Sequence, residues 1–121
     1  MSHVTTVSTA VEFKDEAILI QALNECEGTV DTMVLDWYGA AKTVDHAIHS
    51  REFNNGIGFV RVGNKYEVRM DDYKHKVAAE SLLKKIQMKY QKVSAVKRAK
   101  ALGYSVRVTE GNTIRIVAKV Y

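Results

Sequence analysis

The sequence has no proline and one cysteine, Cys26. A lone cysteine excludes an intrachain disulfide, so a reducing compartment is expected. Without proline, turns must rest on glycine, asparagine and aspartate. Long hydrophobic runs are also missing. No stretch approaches the roughly 18 apolar residues of a membrane span, and no membrane partner is expected. Met1 to Thr6 lacks the basic start and apolar run of a secretory leader, and Ala118 to Tyr121 matches no lipidation motif. The expected location is the cytoplasm, a plastid stroma, or the host cytoplasm if the chain is viral. HExxH, GxGxxG and GxxxxGK[ST] are all absent, as are the stacked aromatic signature of RNA-recognition motifs and the GxxG of KH domains. These absences assign no catalytic residue, no metal ligand and no cofactor.

Acidic residues are scarce in one half only. Residues 1–73 hold 12 Asp/Glu against 6 Lys/Arg, a balance of −6. Residues 74–121 hold 12 Lys/Arg against Glu80 and Glu110 alone, a balance of +10. The formal net charge of +4 hides this sorting. A segment this cationic faces something anionic, inside the protein or outside it.

What remains is ordinary and well patterned. The chain has 121 residues and is 46% hydrophobic, enough for a core without metal or disulfide staples, so one domain over 1–121 is expected. From Thr5 to Phe13 the residues alternate as in a half-buried strand. Asp15 offers a helix N-cap with Glu16 in the first turn; Leu19, Ile20, Leu23 and Cys26 repeat at helical spacing, and Gly28 supplies a stop. Val30–Trp37 and the Val44, His46, Ile48 alternation read as two more strands. Ile57–Val62 and Lys65–Met70 flank Gly63-Asn64, a two-residue hairpin loop. That loop fixes the register: Arg61 opposite Tyr66, Phe59 opposite Val68, Ile57 opposite Met70. Gly58 is the odd residue, a glycine inside a strand-like run.

Beyond Ala78 the period becomes helical. Leu82, Leu83, Ile86, Tyr90, Val93, Val96 and Leu102 mark a buried stripe that drifts near Tyr90–Ser94. Either a bend or two consecutive helices fits that drift. Gly103 ends the helix, and Glu110-Gly111-Asn112 joins two closing strands, the last from Thr113 to Tyr121. The order β-α-β-β-β-β-α-β-β predicts an α+β two-layer sandwich, mainly antiparallel, with helices on one face.

Tyr38-Gly39, Ile57-Gly58-Phe59, Lys65-Tyr66-Glu67-Val68, Asp71-Asp72, Lys89-Tyr90-Gln91-Lys92-Val93, Gly103-Tyr104 and Asn112 to Val117 follow one another in an order and spacing that resembles the hypothetical chloroplast reading frame thirty-five family. These are small proteins of cyanobacteria and algal plastids, with bacterial and viral relatives. Tyr73-Lys74-His75-Lys76 stands where that family carries a tryptophan-rich stretch. The resemblance implies the fold and the location, and an accessory role through gene neighbourhoods with AAA-type ATPases. It implies no catalytic residue or cofactor.

The candidate binding face is cationic: Lys85, Lys89, Lys92, Lys97, Arg98 and Lys100 on the last helix, with Arg107 and Arg115 on the closing hairpin. Like charges on one helix repel by a few tenths of a kcal/mol per close pair. Three readings stay open. The face binds a protein partner or a second copy of the chain; it binds nucleic acid without sequence preference; or it is a solvated face partly neutralised by the acidic half. An enzyme with an unrecognised site is a further alternative. His46 and His49, three apart on a strand, point to opposite faces and cannot chelate together. His46 is expected to be partly buried with a hydrogen-bond partner, and the other histidines to lie on the surface. Cys26 reads as a buried small hydrophobe, Asp71-Asp72 as a charged strand end and Trp37 as core, with Tyr38 undecided.

Overall fold

The computed structural model describes residues 3–108 and 114–119, with side chains described through residue 106. Its elements are β1 (Thr5–Val7), α1 (Glu16–Glu25), β2 (Thr29–Leu35), β3 (Ala41–His49), β4 (Ile57–Val62), β5 (Lys65–Met70), α2 (Lys76–Ala101), β6 (Tyr104–Val108) and β7 (Ile114–Lys119). The element order matches the expected one, and the fold is α+β. The turn expected at Glu110-Gly111-Asn112 lies outside the described residues. Five strands form an antiparallel sheet in the order β1-β5-β4-β3-β2; β6 and β7 pair separately and pack on α2.

The first strand is shorter than the alternation predicts. β1 pairs Thr5 with Met70 and Val7 with Val68, then leaves the ladder. Thr9 Oγ1 donates to the Val11 carbonyl at 2.7 Å, a local bond that competes with strand pairing. Before α1 the chain bridges β5 once more at Phe13, whose carbonyl accepts the Tyr66 N–H at 2.7 Å.

Asp15 caps α1 as expected, its Oδ1 accepting the Ile18 N–H at 3.1 Å. The buried face is Ile18, Leu19, Ala22 and Leu23. It is turned one residue from the predicted stripe, and Ile20 is 38% exposed. The reason is that α1 must meet α2 as well as the sheet, and that seam selects the side carrying Ile18 and Ala22.

The central hairpin has the predicted register, Arg61 opposite Tyr66 and Phe59 opposite Val68. Phe59 faces the helices. Phe13 meets it edge-to-face at 5.1 Å and meets Tyr90 at 5.0 Å, contacts worth about 0.5–1.5 kcal/mol each beyond burial. Gly58 faces the other way, and there its role is plain. The β2–β3 register shifts between Asp31 and Met33. Val34 and Val44 lie against Gly58: a Cβ there would stand 2.8 Å from Val44 Cγ1 and 3.0 Å from Val34 Cγ1. Val34, Val44 and Ala47 form a second small core, with Val4 and Val60 at its edge. The glycine is required by close approach of another strand's side chains, not by a turn.

Helix α2 runs unbroken for 26 residues, about 39 Å at 1.5 Å per residue. The helix is continuous through Tyr90–Ser94, so no second helix starts there. Tyr90 Oη accepts the backbone N–H groups of Lys14 and Asp15, each at 3.0 Å. Leu102 lies past the buried stripe and is 62% exposed.

Candidate functional site

The cationic residues of α2 separate into two groups. Lys92, only 10% exposed, sets its Nζ 2.9 Å from Glu25 Oε1 on α1. This hydrogen bond holds the Glu25 carboxyl below its usual range, against an opposing push from burial. One helical turn further on, Lys97 Nζ lies 3.5 Å from Asp15 Oδ2. Asp15 is also held low, first by the Ile18 N–H and then, against burial, by Lys97. Lys100 continues along this α1–α2 seam, which encloses a cleft of about 500 Å³ with Ile18, Gln21 and Val96. Arg98 follows Lys97 by one residue, about 100° around the helix, and is exposed.

Lys85 and Lys89 lie elsewhere. They line a groove of about 1000 Å³ between the end of α1, the β3–β4 loop and the first turns of α2. Leu82, Ala78 and half-buried Cys26 form its apolar floor. Val77, 82% exposed, stands at the rim. Lys74 and Lys76 add positive charge; Glu27, Glu52 and Glu25, the last paired with Lys92, also line it. Among the described residues, neither Lys85 nor Lys89 has a salt-bridge partner, whereas Lys92 and Lys97 do. Arg107 and Arg115 face each other in the β6–β7 ladder, and their side chains fall outside the described residues.

The remaining candidates have structural roles. Burial raises the Cys26 thiol, while Lys89 pulls it back and Glu25 pushes it up further, so the thiol is not activated. His46 is half-buried as expected, with Nε2 3.1 Å from Glu16 Oε2. The same oxygen accepts the Tyr66 hydroxyl at 2.5 Å. That hydroxyl, followed by His46, holds Glu16 low. Asp71 is more than a charged strand end. It is 3% exposed, with Oδ2 accepting the Trp37 N–H at 2.8 Å and Oδ1 the Tyr73 N–H at 3.1 Å.

Trp37 is not core: the residue is 38% exposed, and its ring stands edge-to-face on Tyr73 at 5.2 Å, with Lys74 Nζ 5.4 Å from the ring centroid. Tyr38 is 72% exposed. His49 is also placed differently from the expectation: its side chain is 13% exposed and bonded at both ring nitrogens. Asn54-Asn55-Gly56 turns the chain just after it, and the ring folds back beneath that turn. Among the described residues, no three His, Cys, Asp or Glu converge to hold a metal, and no helix is long and apolar enough to cross a membrane.

The fold and groove define a small α+β protein with a charged, apolar-floored cleft and no assembled catalytic constellation among the described residues. The chain belongs to the family described as Protein of unknown function (DUF1257), whose model matches residues 21–117. No curated protein and no solved structure matches it.

Proposed function

We propose that the protein is a non-enzymatic binding module whose groove takes a segment of a protein partner, acidic on one side and apolar on the other. The observation behind this reading is the pair Lys85 and Lys89, which have no salt-bridge partner among the described residues, beside an apolar floor. An aliphatic side chain fits between Val77 and Leu82 while a carboxylate reaches either ammonium. Glu27 and Glu52 in the same lining disfavour a continuous phosphate backbone, which favours a peptide over nucleic acid. Free Cys26 suits a reducing compartment, cytoplasm or plastid stroma, and the motif order supports the narrower chloroplast reading frame group.

Three labelled probes test the reading by fluorescence anisotropy. One is a helical peptide with glutamates on one face and leucines on the other. The second is its lysine-for-glutamate counterpart, and the third a single-stranded oligonucleotide. The acidic peptide should bind, and Lys85→Glu with Lys89→Glu should weaken it about tenfold or more. Equal binding of both peptides, or preference for the oligonucleotide with a steep salt dependence, overturns the proposal. A rise in light-scattering mass that competes with the peptide would make a second copy the occupant instead.

A further inference from the structure

His49 closes β3 with its imidazole surrounded by acceptors. Nδ1 lies 2.7 Å from the Asn54 carbonyl oxygen. Nε2 lies 2.9 Å from Asp31 Oδ1 and 2.8 Å from the Met33 carbonyl oxygen. A neutral imidazole has one N–H. In either tautomer a ring lone pair would face an oxygen at hydrogen-bond distance. Only the imidazolium supplies a proton to both sides.

The ring is confined. A Cβ on Gly56, which has φ +89°, would stand 2.6 Å from it, so the loop backbone rests on the imidazole face. Asp31 is confined as well, because Oδ1 also accepts the Met33 N–H at 3.1 Å. Burial works against the ring's charge. The Asn54 carbonyl, the Asp31 carboxylate and the Met33 carbonyl outweigh it and raise the group above the ordinary 6.5. Asp31 from β2 is the charged group bonded to the ring; the β3–β4 loop presents the Asn54 carbonyl and the backbone of Gly56.

These partners come from separate pieces of the chain. Asp31 and Met33 flank the register shift in β2. Asn54 belongs to the loop that supplies Ser50 and Glu52 to the groove. Gly28, just past the Cys26–Glu27 edge of the same groove, packs so closely on the His49 carbonyl that an added Cβ would stand 2.4 Å from its oxygen. His49 therefore sits behind the wall that carries Ser50 and Glu52.

We propose that His49 is a proton-operated latch on that wall. Charged, it ties β2 to the β3–β4 loop and holds Ser50 and Glu52 in place; neutral, it releases one side and the loop loosens. The consequence for binding rests on the groove reading above, whereas the latch itself stands on the ring geometry. Because the folded group is raised, its contribution is complete below the unfolded value near 6.5 and is lost as pH rises through the folded pKa.

Histidine ring NMR on the full chain between about pH 5.5 and 9.5 reads the latch directly. Amide exchange at Gly56 and Leu35 reads the loop, since these N–H groups donate to Phe53 O and Asn55 O. His49 should be doubly protonated at pH 6.5 and titrate above it. After correction for intrinsic rates, Gly56 and Leu35 should exchange about tenfold faster across the same midpoint. Asp31→Asn should keep the fold and move both midpoints down together. A His49 midpoint at or below 6.5, or exchange indifferent to it, overturns the latch even if the acidic peptide binds. A latch that titrates as described while the peptide fails to bind leaves the latch standing and removes the groove reading.

Discussion

Lysines a few residues apart on one continuous helix do different work. Toward its C-terminal half α2 faces α1, and there Lys92 and Lys97 meet Glu25 and Asp15. Toward its N-terminal half it borders the groove, and Lys85 and Lys89 meet no ion-pair partner among the described residues. The cationic segment and the acidic half are thus partly each other's counterions, and only the remainder is left for an external anion. Charge counted along a sequence overstates what a surface offers, because folding consumes part of it.

The contrast can be broken at several points. Tyr90→Phe should cost most, about 1–3 kcal/mol by denaturant unfolding, since the Lys14 and Asp15 N–H groups lose their acceptor. An unchanged midpoint would mean that water replaces the hydroxyl and that the seam is looser than described. Lys92→Met should cost about 1–2 kcal/mol, because it strands Glu25 beside an apolar side chain. The same variant should be less sensitive to acid. Glu25 is held low in the fold, so its stabilisation is full above the ordinary 4.5 and fades as pH falls through the folded value. A parallel loss of stability with pH in wild type and Lys92→Met would contradict that coupling. Lys97→Ala and Lys85→Ala should each stay within about 0.5 kcal/mol, the first because its pair is exposed and the second because it has no salt bridge to lose. They should part company in the anisotropy assay, where only Lys85→Ala weakens the acidic peptide.

Local rules made much of the architecture legible. Gly63-Asn64 set the hairpin register and Asp15 the start of α1, because each depends on a few adjacent residues. Features decided by distant partners were not legible. The face of α1 turned by one residue once α2 was beside it, leaving Ile20 exposed. The drift of the apolar stripe near Tyr90–Ser94 marks no second helix: there Tyr90 and Lys92 find partners some 65 to 75 residues away, which a sequence window does not reveal. Gly58 was visible as an anomaly in a strand, but its cause lay in Val34 and Val44 from two other strands. At the candidate site, the sequence pointed to the lysines of α2 as a group. It had no means of telling Lys85 from Lys92, since their difference is set by where α1 ends. His49 was hidden for the same reason: nothing adjacent in sequence announces that three oxygens will meet its ring.

Asp71 gives two surface loops a common hinge pin. One carboxylate grips the backbone of Trp37 at the β2–β3 tip and of Tyr73 at the approach to α2. Lys74, between the stacked rings and the helix start, adopts a left-handed φ of 62° and lines the mouth of the groove with His75 and Lys76. The backbone beneath the indole and the backbone leading into the groove mouth are thus moored to the same buried carboxylate, three residues before Lys74.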